Sequence, residues 1–287
     1  MTHLFDPGYT RRFATLVRNY PGPEVYPPND FRVEWGPIFH RGRLNGSARV
    51  LVLGQDPAAH ETIVRRILVG EAGQRIQGFL ARLGIETSYV MINTFLYSVY
   101  GQGGGSRHKD DPLIAEYRNR WLDALLVDSL VEVVVALGQL ADIAFKAWQA
   151  TPAGQSVNVT YQPITHPTFP ESSSGSGQRT KAEATALMLA NWNEALHALH
   201  PLIRPDVERP LTPYGTALED SDRKPIPEID LPAGIPFWMG AVESWAVRTN
   251  VGEATGPTAT EADIANAKRA SIVVKIPRVH RTWPPIA

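Results

Sequence analysis

The sequence predicts an α/β protein, a three-layer α/β/α sandwich around a central, mainly parallel four-stranded sheet. The first observation behind this prediction is that short apolar segments alternate along the chain with longer segments of helical periodicity. Such an order is typical of parallel sheets whose crossover connections are helices. The second observation is that each apolar segment is followed directly by a glycine or a polar residue, as at Gly54 and Asn93.

The individual elements follow from segment length and periodicity. Strands are predicted at residues 49–53, 89–92, 131–137 and 157–164, where the apolar runs are short. Helices are predicted where apolar residues recur every three or four positions, as at Ile76, Phe79 and Leu83. The predicted helices are residues 70–83, 113–128, 139–149 and 181–200, and the predicted loops are residues 94–112 and 165–178.

The 287 residues divide into three regions by composition. Residues 1–47 are rich in proline, glycine and aromatic residues and are predicted to form an irregular N-terminal arm with short helices. Residues 48–200 carry the strand and helix pattern and are long enough for one α/β domain with its own core. Residues 201–287 are predicted to be a C-terminal extension that packs on this core or forms a small β-rich unit, with Trp238, Trp245 and Trp283 as contacts.

Composition restricts the classes of function. The chain has no cysteine, which excludes disulfides, zinc–thiolate sites, iron–sulfur clusters and thiol nucleophiles. The sequence contains neither a signal-peptide pattern nor an apolar segment of membrane-spanning length, so we expect a soluble, cytoplasmic protein, and a monomer. No ligand cluster is recognisable, and we expect no metal ion or cofactor. The net charge of -1 gives no overall positive field, although a local basic patch is enough to bind phosphates.

Three polar motifs follow predicted strands. They are residues 54–60 (Gly-Gln-Asp-Pro-Ala-Ala-His), Asn93, and residues 165–170 (Thr-His-Pro-Thr-Phe-Pro). Taken singly, each motif is also explained as a turn, a helix cap or a solvated loop. The carboxyl ends of parallel strands share one edge of the sheet, however, and ligands bind beyond that edge. The three motifs are therefore expected to form one site.

In order and spacing, these motifs resemble those of the uracil-DNA glycosylase superfamily, over about residues 49–200. Residues 54–57 are similar to the water-activating motif of family one, and residues 57–60 look more like the motif of family five. Asn93 lies where the superfamily keeps its base-reading Asn, and residues 166–168 resemble the His-Pro motif that closes the site.

Other segments relate the chain to family four without completing that pattern. Residues 66–74 resemble the segment after the first motif of that family, and residues 136–138 with Ala141 resemble its third-strand signature. Leu68, however, stands where family four has a Phe that stacks on the base, and the chain lacks the cysteines of that family's cluster. Ala58 stands where family one has a Tyr that excludes 5-methyl groups. The resemblance therefore implies a divergent or separate family.

The resemblance implies a monofunctional glycosylase of DNA repair, which hydrolyses the N-glycosidic bond of uracil in DNA and leaves an abasic site. Asp56 would stabilise the oxocarbenium-like sugar and activate water, and His166 would hydrogen-bond the departing base. The backbone of Gln55 would assist His166, and Asn93 would read the pyrimidine edge.

Two further consequences of the resemblance concern the bases accepted and the contacts with DNA. The small Ala58 and the aliphatic Leu68 imply a wider pocket that also accepts larger damaged or deaminated bases. DNA contacts are implied at the wedge position and in the serine-rich stretch after it, and their residues are Phe169, Pro170 and Ser172. A basic loop at residues 107–109, with Arg107 and His108, could also bind the DNA backbone, and a solvated surface explains it equally well. Further basic clusters, each equally well explained as solvated surface, are Arg65 with Arg66 and a tail group of Lys268, Arg269, Lys275, Arg278 and Arg281.

Two other functions stay open on the sequence. One branch of the superfamily traps its DNA covalently through a His in the loop after the base-reading Asn, and His108 lies in a comparable loop that begins with Gly103 and Gly104. Asp56 argues against this outcome, because a water that it activates would compete with the His. The second alternative is a non-catalytic nucleic-acid-binding module on the same scaffold. Such a binder has no need for an Asp facing the base and sugar.

Overall fold

The computed structural model describes residues 5–100, 105–241, 244–249, 260 and 271–281. The strands of the main sheet are β1 (Arg41–Gly42), β2 (Val50–Gly54), β3 (Tyr89–Asn93), β4 (Val133–Leu137) and β5 (Thr160–Ile164). Their order in the sheet is β1-β3-β2-β4-β5. Strands β2 to β5 pair in parallel, and β1 is antiparallel to β3 at one edge.

Helices cover both faces of this sheet. The described helices are α1 (Arg11–Arg18), α2 (Ala59–Val64), α3 (Glu71–Arg82), α4 (Pro112–Leu126), α5 (Gln139–Gln149), α6 (Pro152–Gln155), α7 (Phe169–Gly175), α8 (Lys181–Leu199) and α9 (Trp238–Ala241). The predicted α/β/α layering is confirmed, and the ends of α3, α4, α5 and α8 agree with the predicted ends to within about two residues. Within the described ranges, no helix is long and apolar enough to cross a membrane.

The predicted number of strands is wrong by one. The four predicted strands are present, but the sheet also contains β1, which lies in the arm that is expected to be irregular. A strand of two residues carries no periodic pattern, so the sequence could not reveal it. Its place is decided by pairing with β3, where Arg41 lies opposite Met91 and Gly42 opposite Val90.

The prediction of a continuous loop over residues 165–178 is also wrong, because this segment contains α7. Serine and glycine are weak helix formers, and α7 has Ser172, Ser173 and Ser174 in its seven residues. Phe169 at its first position packs against a core cluster, and Ser173 is buried. Tertiary burial therefore overrides a poor local propensity in this segment.

Alternate residues of the strands point to opposite faces and build two hydrophobic clusters. On one face, Leu51, Leu53 and Ala136 pack with α1, α4 and α5. On the other face, Val50 and Val52 pack with α3 and α8. The carboxyl ends of the strands are thus held between rigid helical layers, which positions the loops that follow them.

The C-terminal extension packs along the domain. It contributes residues to the second cluster, and it forms a third cluster with α2 and the segment after it. The extension residues in these clusters are Ile203, Tyr214, Ile226, Leu231, Trp238, Trp245 and Ala246. Its antiparallel strands are β6 (Ala246–Arg248) and β7 (Ile272–Val274). Gly103, Gly104, Lys268, Arg269 and Trp283, all named above, lie outside the described residues.

Candidate active site

The carboxyl ends of the parallel strands bring the three sequence motifs to one edge of the sheet. In the strand register, Gly54 at the end of β2 lies beside Asn93 at the end of β3. Asp56 and His166 each follow two residues after the last residue of their strands, β2 and β5. This edge, which we call the rim, is the one at which ligands bind in open α/β sheets.

Two glycines allow neighbouring segments of the chain to approach each other closely at the rim. A Cβ atom on Gly54 would stand 2.3 Å from Oδ1 of Asn93, so the amide of Asn93 lies over the end of β2. Gly138, directly after β4, has a φ of +80°, and a Cβ there would lie 3.1 Å from Cβ of His166. Any larger residue at either position would displace a polar side chain of the site.

The carboxylate of Asp56 is oriented by two hydrogen bonds. The peptide N–H of Val99 donates to Oδ2 at 3.0 Å, and the side-chain amide of Gln55 donates to Oδ1 at 3.0 Å. Burial raises the pKa of Asp56 from 3.8 to about 6, although both hydrogen bonds act in the opposite direction. At neutral pH the group is ionised and near its titration range, which suits a general base.

The imidazole of His166 is held as a neutral ring. Burial, together with the positive charge of Arg75, lowers the pKa of His166 to about 4. The peptide N–H of Thr168 donates to Nδ1 at 3.2 Å. Because Nδ1 accepts this hydrogen bond, the proton of the neutral ring is on Nε2. The Nε2–H group can then donate to a ligand oxygen.

Arg75 of α3 positions the loop that carries His166, and the sequence reasoning missed it. It is 2% exposed, and its guanidinium donates to the carbonyl of Pro167 and to both oxygens of Glu171, the latter at 3.0 Å. Although burial opposes it, the hydrogen bonds of Arg75 and Lys181 lower the pKa of Glu171 to about 2. A signal did exist in the sequence: Arg75 precedes Phe79 by one helical turn and therefore lies on the apolar face.

Glu61 of α2 is a second residue that the sequence reasoning missed. It is 6% exposed, and its carboxylate accepts the peptide N–H of Ala58 at 3.0 Å and that of Val69 at 3.1 Å. One side chain therefore ties together the two segments in which Ala58 and Leu68 are expected to line a base pocket. Ala58 is exposed, whereas Leu68 is 8% exposed, has a φ of 52° and packs in the second cluster.

The basic loop after β3 is bound to the segment around Asp30. Arg107 forms an ion pair with Asp30, and Nε2 of His108 lies 2.8 Å from Oδ2 of the same residue. Nδ1 of His108 lies 3.6 Å from the carboxylate of Asp111. The loop is near the rim, because Phe31, which follows Asp30, forms a β-bridge with Val99. The peptide N–H of Val99 in turn binds Asp56. Both ring nitrogens of His108 thus face carboxylates of the protein itself.

The other residues expected to meet DNA differ in accessibility. Pro170 is buried and Phe169 is half-buried at the start of α7, whereas Ser172 is exposed with its hydroxyl bound to the carbonyl of Phe169. Arg66 is buried and bonded to Asp6, and Arg65 donates to backbone carbonyls at residues 35 and 37. Arg66 therefore stabilises the fold internally, whereas Arg65 is exposed and binds the backbone at the surface.

Two cavities lie at opposite ends of the strands of the main sheet. A cavity of about 20 Å³ beside Asn93, lined also by Tyr117 and Trp121, has room for a single water molecule. A cavity of about 240 Å³ lies beside Ala48 and Val131, at the amino ends of β2 and β4. In the part of the chain that the structure describes, no group of three or more His, Asp or Glu residues could hold a metal ion. Asp56 and His166 both have shifted pKa values and both lie at this edge of the sheet, which makes the rim the candidate active site.

A family model described as the uracil DNA glycosylase superfamily matches residues 41–200, which is more than half of the chain. The match includes Asp56, Asn93 and His166. No curated protein matches the chain.

Proposed function

The chain belongs to the uracil DNA glycosylase superfamily, and from this premise we propose that it hydrolyses the N-glycosidic bond of uracil in DNA and leaves an abasic site. Family membership supports a DNA-repair glycosylase function and a DNA substrate in general. The observation that carries the specific proposal is that Asp56 and His166 each lie two residues beyond a strand at the same edge of the sheet. Asp56 has a pKa of about 6, and His166 is a neutral imidazole whose Nε2–H can donate to a ligand.

In the proposed reaction, the target nucleotide is flipped out of the duplex, since its glycosidic bond is inaccessible in the stack. The bond between C1′ and the base nitrogen breaks, and its electron pair leaves with the base. Asp56 stabilises the positive charge on the sugar and takes a proton from the water that bonds to C1′. His166 donates Nε2–H to the carbonyl oxygen on which the negative charge of the base collects.

Base recognition is assigned to the residues around this pair. The amide of Asn93 offers a donor and an acceptor, which match the adjacent carbonyl and N–H of uracil. The side chain of Gln55 orients Asp56, and we assign to its backbone the role of assisting His166. The exposed, small Ala58 and the aliphatic Leu68 support a wider pocket that also takes larger damaged or deaminated bases.

Contacts with the rest of the DNA are assigned to two segments. Phe169 and Pro170 form the wedge region, and Ser172 is accessible to a phosphate. Because Pro170 is buried, α7 would have to shift for that residue to enter the stack. The Arg107 side chain is 59% exposed, so it can reach a phosphate from its ion pair with Asp30. The monomeric state and the cytoplasmic location stay predictions.

Hydrolysis is favoured over covalent trapping through His108. A nucleophilic imidazole needs one ring nitrogen directed at C1′ of the sugar, whereas both nitrogens of His108 face Asp30 and Asp111. A non-catalytic binding module is disfavoured because such a module does not need the raised pKa of Asp56.

The experiment is incubation with an oligonucleotide that contains one uracil, followed by alkaline cleavage and denaturing electrophoresis. We expect a cleaved band that depends on both uracil and alkali, and no such band with Asp56→Asn. A band of retarded mobility that survives denaturation would instead show a covalent adduct. Binding without cleavage of uracil or of any other damaged base would contradict the proposal.

A further inference from the structure

The carboxylate of Glu61 is buried and joins the beginning of α2 to the segment that follows this helix. Oε2 accepts the peptide N–H of Ala58 at 3.0 Å, and Oε1 accepts that of Val69 at 3.1 Å. Because each oxygen has its own partner, this one side chain fixes the distance between two segments of the backbone. Ala58 lies two residues after Asp56, so the first of these segments is the loop that carries the proposed general base.

The second segment contains a residue in an unfavourable backbone conformation. Leu68, directly before Val69, has a φ of 52°, a left-handed value that crowds the Cβ atom of any residue except glycine. The peptide group that follows Leu68 is held on both sides. Its N–H binds Glu61, and its carbonyl oxygen lies so close to Gly73 that a Cβ atom there would overlap it. Conformations of this kind persist where surrounding contacts determine them, and they concentrate at functional sites.

Contacts from distant parts of the chain fasten the residues just before this peptide group. Nε of Arg41 donates to the carbonyl of Ile67 at 3.0 Å, and the buried guanidinium of Arg66 binds the carboxylate of Asp6. The segment after α2 is therefore fixed in the fold. The link through Glu61 then fixes the beginning of α2 relative to it.

We propose that Glu61 is a positioning residue that fixes the separation between Ala58 and Leu68, the two walls of the base pocket, and thereby sets the selectivity of the pocket among bases. The inference rests on the proposed function, in which these two residues line that pocket. Glu61 acts through the backbone of its two partners and not through a contact with the base.

The effect on selectivity follows from the distance dependence of apolar contacts. A wall that moves away by about 0.5–1 Å loses roughly a quarter to a half of its dispersion attraction to a small base. A larger base still reaches both walls, so it loses less. Releasing the link through Glu61 should therefore slow the excision of uracil more than the excision of a larger base.

The test uses two substitutions of Glu61 and a matched control. Glu61→Gln keeps the size of the side chain but has a single acceptor oxygen, so it can bind only one of the two N–H groups. Glu61→Asp keeps both oxygens and the charge but is shorter by one methylene, so it cannot hold both partners at once. The control is Glu183→Gln, because Glu183 accepts the peptide N–H of Thr180 at 2.9 Å in the first turn of α8. It removes the same kind of helix cap but no link between the two walls.

Single-turnover excision is measured on matched duplex oligonucleotides that contain uracil or a 5-substituted uracil. The ratio of the two rates is compared, because a loss of folded protein lowers both rates equally and leaves their ratio unchanged. We expect the preference for uracil to fall roughly tenfold in Glu61→Gln, and to fall also in Glu61→Asp. Glu183→Gln should keep the wild-type ratio. If the wild type leaves the larger base uncut, its excision by the Glu61 variants is the same result.

The outcomes separate this inference from the proposed function. If the wild type excises uracil but the Glu61 variants keep or raise its preference, or also leave the larger base uncut, the positioning role is wrong and the proposed function stands. If the wild type excises no base, the glycosylase proposal is wrong and this inference falls with it. Where Glu61→Gln does not fold, Glu61→Asp decides between these outcomes.

Discussion

Two aspartates of this chain are shielded from water by different kinds of groups. At the rim, Asp56 accepts a peptide N–H and an amide N–H, and burial raises its pKa to about 6. At the edge of the sheet, the fully buried carboxylate of Asp230 binds Arg41 at 2.9 Å and also Arg43 and the hydroxyl of Tyr89. The first is surrounded by dipoles and the second by cations in direct contact.

The difference shows how the surroundings decide the use of one residue type. Two contacting guanidinium groups compensate the charge of Asp230, so this carboxylate fastens the C-terminal extension to β1 and β3. Hydrogen bonds from uncharged groups compensate Asp56 only partly, so its charged form stays reactive. We therefore expect the same substitution, Asp to Asn, to have opposite consequences at the two positions.

The largest effect is expected on catalysis from Asp56→Asn. Loss of a positioned general base should slow excision by about 10²–10⁴-fold, whereas DNA binding should change much less. Single-turnover kinetics measure the excision rate, and the Kd for a duplex that contains an abasic-site analogue measures DNA binding. Excision at a near-normal rate would remove Asp56 from the mechanism.

The next effect concerns stability and the substitution Asp230→Asn. Removing one partner of a buried ion pair leaves the guanidinium of Arg41 uncompensated, which costs about 3–5 kcal/mol in the free energy of unfolding. Urea denaturation of the wild type and the variant measures this difference in the free energy of unfolding. The matched control is Asp220→Asn, because the Asp220 side chain is 97% exposed in its ion pair with Arg223. Equal effects of the two substitutions would contradict the structural role of Asp230.

A third prediction uses the pH dependence of excision to distinguish the roles of Asp56 and His166. Excision should decline as pH falls through about 6, because Asp56 must be ionised, while His166 with a pKa of about 4 stays neutral. His166→Ala should slow excision by about 10²–10³-fold without moving this acid limb. Single-turnover rates across the pH range measure both. A limb that moves with His166→Ala would assign the titration to His166 instead.

A smaller effect is expected on the free energy of unfolding of Asp56→Asn. The pKa of Asp56 is higher in the folded protein, about 6 against 3.8, so ionisation of this group destabilises the folded state as pH rises through 6. Asn removes that ionisation, and unfolding should become less favourable by on the order of 1–3 kcal/mol at neutral pH. The gain should disappear in acid, below the unfolded pKa. A destabilised variant at neutral pH would show that Asp56 is compensated like Asp230.

The smallest effect is expected on the range of bases. Ala58→Tyr should fill the space beside carbon 5 of the base. Relative to uracil, it should raise the activation free energy for excision of 5-substituted or etheno-modified bases by about 1–3 kcal/mol. Excision rates on matched oligonucleotides measure this. If the wild type already removes only uracil, another side chain limits the pocket.

The site residues that could be predicted are those that follow a strand directly. The strand ends and the rule that parallel strands share an edge predict only that Asp56, Asn93 and His166 lie together. Their proposed roles come from the family resemblance and stay predictions. Arg75 and Glu61 left weaker signals, since a charged residue on an apolar helix face is visible only after the burial of that face is known.

The α/β/α layers, the four parallel strands and the family could be read from the amino-acid sequence, because apolar periodicity and the order of the motifs are properties of the chain before it folds. The edge strand β1, the helix α7 and the surroundings of Asp56 and Asp230 became visible only in the folded structure. Each of these depends on contacts between residues far apart in the chain. The charge compensation of a buried carboxylate is such a contact, and it decides whether the group is reactive or structural.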